Sequence, residues 1–149
     1  MSEGRQDPTG SQADRAASRS GLWLLGLVAG ISVLLAAGDE PVRLALRYDP
    51  AGVAAGEWYR LVTGHLVHGG WAHLLLNMTG LGLIAGLFPR DYSIRQWLMI
   101  GVASVAMIDL GFVLFEPQLD WYVGLSGVLH GALAAGAVSW WARESRPFA

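Results

Sequence analysis

A serine set between glycines and followed by a histidine is the part of the sequence that could carry out nucleophilic chemistry. Ser126 lies in the string WYVGLSGVLHG at 121–131, and His130 comes four residues after it. Side chains on a helix lean toward its amino terminus, so the His130 ring is expected over the turn that carries Ser126. A serine hydroxyl is a poor nucleophile until a base takes its proton. Ser126 is therefore the candidate nucleophile.

A second polar pair lies in another apolar run. His73 and Asn77 are four residues apart, so they share one face of a predicted helix. Their ring and amide N–H groups could donate hydrogen bonds to the oxyanion that forms when a serine attacks a carbonyl. Gly124 and Gly127, on either side of Ser126, leave room for a substrate carbonyl to approach the backbone. If the two pairs face each other, they form a small polar site within an apolar bundle.

Each of these residues also has a structural explanation when it is taken alone. Ser126 could pack against a neighbour or donate its hydroxyl to a carbonyl of its own helix. His130 could be a hydrogen-bonded histidine at a helix contact, and Asn77 could join two helices. The combination favours a functional site, because polar side chains in lipid cost free energy unless they are paired.

The composition is that of a membrane protein. Of the 149 residues, 53% are hydrophobic and 15% are charged, which is too apolar for an ordinary soluble chain of this size. All ten basic residues are arginine, and the net charge of −2 offers no basic surface to nucleic acid. The sequence has no cysteine, which excludes disulfides, thiol catalysis and cysteine-based zinc sites. We expect the lipid bilayer as a partner and no nucleic acid.

Four apolar runs predict an all-α fold, a polytopic membrane bundle of about four transmembrane helices. The runs are Leu22–Ala37, Trp71–Phe88, Gln96–Phe115 and Trp121–Ala142. Residues 1–21 are predicted to form a disordered tail, residues 22–142 the membrane domain and residues 143–149 a short second tail. The first run could instead be a signal peptide, but the polar segment before it is long and the later runs are equally apolar.

Arginine positions predict the orientation of these spans. If the amino terminus is cytoplasmic, seven arginines fall inside and three fall outside, as the positive-inside rule requires. The inner set is Arg5, Arg15, Arg19, Arg90, Arg95, Arg143 and Arg146, and the outer set is Arg43, Arg47 and Arg60. Both termini are therefore expected in the cytoplasm.

The motifs resemble those of the rhomboid intramembrane serine proteases, from Glu57 to about Gly136. The string WYRLVT at 58–63 resembles the tryptophan–arginine motif of the first loop, and HGGWAHLLLN at 68–77 has the spacing H-x4-H-x3-N. GLSG at 124–127 resembles the nucleophile motif on the fourth helix. The longer string YVGLSGVLHG is similar to the rhombosortase branch, a bacterial group that acts on proteins with a glycine-rich C-terminal membrane tail.

The resemblance implies a role for each motif residue. Ser126 would be the nucleophile, and His73 and Asn77 would help to bind the oxyanion. Arg60 would belong to the structured first loop, and His68 would be a structural member of the same pattern. The implied reaction is peptide hydrolysis through a serine acyl-enzyme, in or next to the membrane-spanning tail of an anchored protein substrate. It implies a bacterial inner-membrane location, with no cofactor and no metal.

One part of the family pattern is missing from this sequence. Rhomboids take their base from a histidine on the sixth helix, and no histidine follows His130. The chain could lack the last two helices of its family, could be a degenerate member, or could use His130 as the base. The third interpretation needs a dyad on one helix that still leaves space for substrate.

Two other functions compete with the protease. A non-catalytic protein that binds transmembrane helices would not need the final histidine, although it would not need Ser126, His73 and Asn77 either. A metal site could draw on histidines and an acid that the sequence places in apolar surroundings, but their spacing matches no known ligand pattern. Its members would be His65, His68, His73 and Asp109. Taken alone, Asp109 is expected to be structural.

Overall fold

The computed structural model describes the backbone of residues 8–89 and 91–145 and the side chains of residues 21–89 and 91–145. Over these residues the predicted all-α fold is confirmed, and the regular elements are seven helices. They are α1 Pro8–Ala36, α2 Glu40–Leu46, α3 Pro50–Ala54, α4 Arg60–Thr63, α5 Trp71–Leu87, α6 Ile94–Phe115 and α7 Ser126–Glu144. A single antiparallel bridge joins Tyr48 and Tyr122 within the described part of the chain.

The four long helices form the bundle. Helix α6 packs on α7 and α1, and α5 packs on α1 and α7. Phe88 follows the last residue of α5, and its buried ring lies 4.9 Å, between centroids, from the Trp140 ring on α7. An ion pair between Arg143 and Asp91 joins the end of α7 to the α5–α6 connection. The buried apolar core lies at this end of the bundle and consists of Ile84, Phe88, Trp97 and Ala132.

Among the described residues, α6 is the one helix that is long and apolar enough to cross a membrane, judged by length and composition. Helix α5 and the Gly21–Ala36 part of α1 are apolar but shorter. Large apolar side chains on each of the four long helices are exposed, among them Trp23 (78%), Leu76 (74%), Val102 (68%) and Trp141 (72%). Such a surface suits contact with lipid better than contact with water. That the chain has four membrane spans remains a prediction.

The starts of three helices differ from the sequence prediction. Helix α1 begins at Pro8, so residues 8–21 are helical where a disordered tail was predicted; residues 1–7 lie outside the described part. Proline suits a first helical turn, and the alanines and arginines that follow are good helix formers. Helix α6 begins at Ile94 rather than Gln96, because Ser93 and Gln96 form a capping box.

The third difference concerns the fourth apolar run. Helix α7 begins at Ser126 rather than Trp121, and residues 121–125 lie outside it. Gly124 has a φ of +118°, which is incompatible with α-helical backbone, so the helix cannot include residue 124. Ser126 is therefore the first residue of its helix and does not lie in the helix interior.

We predict that Gly136→Ala destabilises the bundle. A Cβ at Gly136 would overlap three atoms of the buried Phe88 ring, which also packs against the Trp140 ring one turn further along α7. Overpacking of this kind costs about 1–3 kcal/mol, measured as a lower midpoint of thermal unfolding in detergent. Gly82→Ala on α5 is the matched control, since nothing lies within 4 Å of its Cβ position. Equal effects at the two positions would contradict the packing described.

Candidate active site

Backbone hydrogen bonds position the residues that precede Ser126. Tyr48 and Tyr122 exchange two of them, N–H to carbonyl, at 3.0 and 3.1 Å. The Gly124 N–H donates to the Gly64 carbonyl at 2.9 Å, and the Tyr122 hydroxyl donates to the Gly124 carbonyl at 2.8 Å. The extended residues before α7 are thus fixed to the first loop, which we define as residues 37–70 between α1 and α5. This places Ser126 at the start of a helix.

The His73 ring lies directly against Gly124. A Cβ on residue 124 would come within 2.6 Å of His73 Cε1 and 2.7 Å of Nε2, so only glycine fits. On its other side, His73 Nδ1 accepts a long hydrogen bond of 3.5 Å from the Gly69 N–H. A neutral ring that accepts at Nδ1 carries its proton on Nε2. His73 therefore presents an N–H donor next to the residues that lead into Ser126.

Asn77 lies one turn beyond His73 on α5 and is 3% exposed. Its Nδ2 donates to the His73 carbonyl at 3.0 Å. An amide nitrogen has two hydrogens, so this bond uses one and leaves the second for another acceptor. This bond within α5 fixes the direction of the Asn77 side chain.

A cavity of about 330 Å³ lies between α5 and α7, and it is lined by all four polar residues of the two predicted pairs. His73 and Asn77 line it from α5, and Ser126 and His130 line it from α7. The remaining lining is apolar or glycine: Leu76, Gly80, Leu83, Ile84, Leu129 and Leu133. The structure thus brings the two pairs to one site of a size that suits a small ligand group.

The His130 ring lies over the turn that carries Ser126. Its Nδ1 donates to the Ser126 backbone carbonyl at 2.7 Å, which leaves Nε2 as the nitrogen that could accept a proton. Within the described side chains, no hydrogen bond links the Ser126 hydroxyl to the ring of His73 or of His130. The structure therefore places His130 beside the candidate nucleophile without forming a serine–histidine hydrogen bond.

Arg60 organises the first loop from a buried position. Its side chain is in an ion pair with Glu57, and its Nη1 donates to the carbonyls of Leu44 at 3.0 Å and Arg47 at 2.9 Å. These carbonyls belong to the end of α2, where helical carbonyls have no partner within the helix. Thr63 adds a bond from its hydroxyl to the Leu46 carbonyl at 2.6 Å. The loop that supports Gly124 is thus tied together through α4.

His68 lies beside His73, with their rings edge to face and 5.2 Å apart between centroids. It is 3% exposed, and its Nδ1 donates to the Leu66 carbonyl at 3.0 Å. Its Nε2 is buried and has no hydrogen-bond partner among the residues that the structure describes. Burial, and secondarily the neighbouring His73, lowers the pKa of His68 below its usual value of about 6.5. His68 is therefore neutral at physiological pH.

His65 and Asp109 form a buried hydrogen-bonded pair, whereas the sequence analysis grouped them only as members of a metal site with His68 and His73. His65 Nε2 lies 3.2 Å from Asp109 Oδ1, and the two side chains lie on different segments, 44 residues apart. Both are polar residues in apolar surroundings, so each needs a hydrogen-bond partner. This need was the one signal in the sequence that could have indicated the pair. Over the described residues, no group of three histidine, aspartate or glutamate side chains is arranged to hold a metal ion.

We predict that Gly124→Ala distorts the site. The alanine side chain would clash with the His73 ring, and the backbone would be strained at φ +118°. Such strain costs about 1–3 kcal/mol, so thermal unfolding should begin at lower temperature. The control is Gly69→Ala, whose Cβ would meet the same ring at an ordinary 3.8 Å. If Gly69→Ala is as harmful as Gly124→Ala, the close contact at Gly124 is not the cause.

We predict that acid destabilises the protein partly through His68. Because the pKa of His68 is lowered in the folded chain, the unfolded chain takes up more protons below about pH 6.5. Stability is therefore full above that pH and is lost as pH falls through and below it. Thermal midpoints measured from pH 7.5 to 5 should fall less steeply for His68→Asn than for the parent. Parallel pH profiles would show that His68 contributes nothing to the acid sensitivity.

Comparison with known proteins agrees with this geometry. A model of the rhomboid domain matches residues 55–147. The chain is 38% identical over 80 residues to the putative rhomboid protease YdcA of Bacillus subtilis (strain 168), covering 54% of this chain and 40% of that protein. It is 32% identical over 83 residues to the rhomboid protease GluP of the same bacterium, covering 56% of this chain and 16% of that protein. The matches thus span less than half the length of either relative. Because the domain match extends over more than half of this chain, the protein belongs to the rhomboid family.

Proposed function

We propose that this chain carries the nucleophile and the oxyanion-binding part of an intramembrane serine endopeptidase. The observation that carries the proposal is the shared cavity, in which Ser126 and His130 on α7 face His73 and Asn77 on α5. Rhomboid relatives named as proteases support the same chemistry. An apolar cavity with a few convergent polar groups is the arrangement expected of a catalytic site.

The proposed reaction begins with attack of Ser126 Oγ on the carbonyl carbon of a peptide bond. The hydroxyl proton passes to a base, the carbonyl oxygen becomes an oxyanion, and the C–N bond breaks as the amine leaves with a proton. Water then hydrolyses the acyl-enzyme and restores the serine. Peptide hydrolysis by this route needs no cofactor.

Donors for the oxyanion come from both helices. His73 offers its Nε2–H and Asn77 its second amide hydrogen, as their other hydrogen bonds indicate. Ser126 and Gly127 begin α7, and the first amides of a helix have no partner within it. They also lie at the positive end of the helix dipole, which favours a developing negative charge. One such donor typically contributes about 10²–10³ in rate.

Two sources of the base are compatible with the geometry. His130 Nε2 is the ring nitrogen left after Nδ1 bonds the Ser126 carbonyl. A histidine on a further helix that packs beside α5 and α7 is the alternative, and the family resemblance favours it. With His130 as the base, His130→Ala abolishes labelling, whereas with the base on a further helix labelling appears only when that helix is present.

The substrate and the membrane arrangement are also part of the proposal. We propose as substrates proteins that are anchored in a bacterial inner membrane by a C-terminal transmembrane tail. The string YVGLSGVLHG at 122–131 supports the rhombosortase branch, in which that tail is glycine-rich. Four spans with both termini in the cytoplasm are proposed on the arginine distribution.

The test is labelling of the detergent-solubilised chain by a fluorophosphonate, which reacts covalently with activated serines. We predict labelling of the parent, none of Ser126→Ala, and slower labelling of Asn77→Ala by about 10²–10³-fold through loss of an oxyanion donor. Ser139→Ala, later on α7 and outside the cavity lining, is the matched control. Thermal unfolding of each variant verifies that the chain is folded.

Each outcome has a defined meaning. Loss of labelling in His130→Ala would identify His130 as the base, whereas retained labelling would assign that role to another group. Labelling of Ser126→Ala at the parent rate would rule out Ser126 as the nucleophile. A folded parent that never labels, even with a histidine-bearing helix of a relative added, would favour a protein that only binds transmembrane helices. The second candidate function, binding of transmembrane helices without catalysis, is favoured by one observation: the described side chains form no hydrogen bond between Ser126 and a histidine.

A further inference from the structure

We propose that the buried pair of His65 and Asp109 is a positioning device for the nucleophile segment, which we define as residues 122–126. The pair lies outside the cavity that holds Ser126, and the proposed reaction does not use it. Its importance for catalysis rests on the proposed function, whereas its effect on the segment can be measured without any activity.

The pair is deeply buried and joins two separate parts of the chain. His65, just after α4, is 1% exposed, and Asp109, in the middle of α6, is 8% exposed. His65 Nε2 donates to Asp109 Oδ1 at 3.2 Å. Either group left alone in such surroundings would carry a large desolvation cost. The ring direction of His65 is therefore fixed by a carboxylate on a long, rigid helix.

The fixed ring contacts the nucleophile segment directly. His65 lies against Tyr122 with 5.3 Å between ring centroids and 58° between planes. The Tyr122 hydroxyl donates to the Gly124 carbonyl, and Gly64, the residue before His65, accepts the Gly124 N–H. His65 and its neighbour thus support the segment through both a ring contact and a backbone bond.

Helix α6 supports the same tyrosine from a second direction. Phe112, three residues after Asp109, lies 4.9 Å between centroids from Tyr122 and 5.1 Å from Tyr48. Tyr122 is therefore enclosed by His65, Phe112 and its backbone partner Tyr48. Because Tyr122 also bonds Gly124, a change in its position moves the residue against which His73 packs.

A purely stabilising role explains the pair less well. Buried charged or strongly polar pairs add little net stability compared with apolar groups of the same volume. What such a pair adds is direction, because its hydrogen bond defines one orientation of the ring. The geometry therefore assigns to the pair the placement of Tyr122, two residues before Gly124.

The experiment measures amide hydrogen exchange of the full chain in detergent by NMR. The reporters are the N–H groups of Tyr122 and Gly124, which bond Tyr48 and Gly64, and the reference is the Trp97 N–H at the start of α6. Asp109→Leu removes the acceptor, and we expect exchange at both reporters to rise about tenfold or more relative to the reference. Asp109→Asn keeps an oxygen acceptor for His65 and should exchange at nearly the parent rate.

Met107→Leu is the matched control on α6, since its side chain is 65% exposed. Because a lone buried histidine could unfold Asp109→Leu, the double variant His65→Phe with Asp109→Leu is measured beside it. The double variant keeps an aromatic ring without leaving a buried polar group unpaired, so it should fold, and faster reporter exchange is expected there too. An equal rise at all three amides, or parent-like exchange in the folded double variant, would overturn the proposal.

Fluorophosphonate labelling then tests the consequence for catalysis. If the parent labels, Asp109→Leu should lower the maximal labelling rate at saturating probe, and Asp109→Asn should restore it. A lower thermal midpoint with an unchanged maximal rate would limit the pair to structure and overturn its positioning role. If the parent does not label even with a histidine-bearing helix of a relative added, the proposed function fails alone, and the exchange experiment still decides whether the pair positions the segment.

Discussion

The hydrogen bonds between the nucleophile segment and the first loop are the constraint on which the site depends. They pair Tyr48 with Tyr122 and connect the Gly124 N–H to Gly64. A backbone group buried without a partner is costly, so an extended segment among helices must find its bonds elsewhere. The first loop supplies them. Ser126 therefore stands at a helix start whose position is determined by residues more than fifty positions earlier in the chain.

The first loop can do this because it has its own internal supports. Asp39 and Asp49 cap the short helices α2 and α3 with their carboxylates, and Arg60 satisfies carbonyls at the end of α2. Short helices are marginal in isolation, so caps and cross-links of this kind determine whether they form. The loop carries His68 at its end and leads into α5, which carries His73 and Asn77. One supported segment thus positions donors on α5 and backbone near Ser126.

Much of this could be predicted from the sequence, because it depends on local spacing. The ends of α5 and α6 follow from charged and proline breaks, and the shared face of His73 and Asn77 follows from the helical period. The start of α7 could not be predicted, since the left-handed Gly124 depends on a histidine that packs against it from another helix. The His65–Asp109 bond was missed for the same reason, because its partners meet only through tertiary packing.

The division of the site between α5 and α7 has a consequence for biosynthesis. Chains are made from the amino terminus, and α6 must be synthesised after Asn77 and before Ser126. His73 and Asn77 are thus synthesised before Ser126, and the cavity between α5 and α7 can form only after α7 has been made. The two sides of the cavity are therefore made at different times, with the whole of α6 synthesised between them.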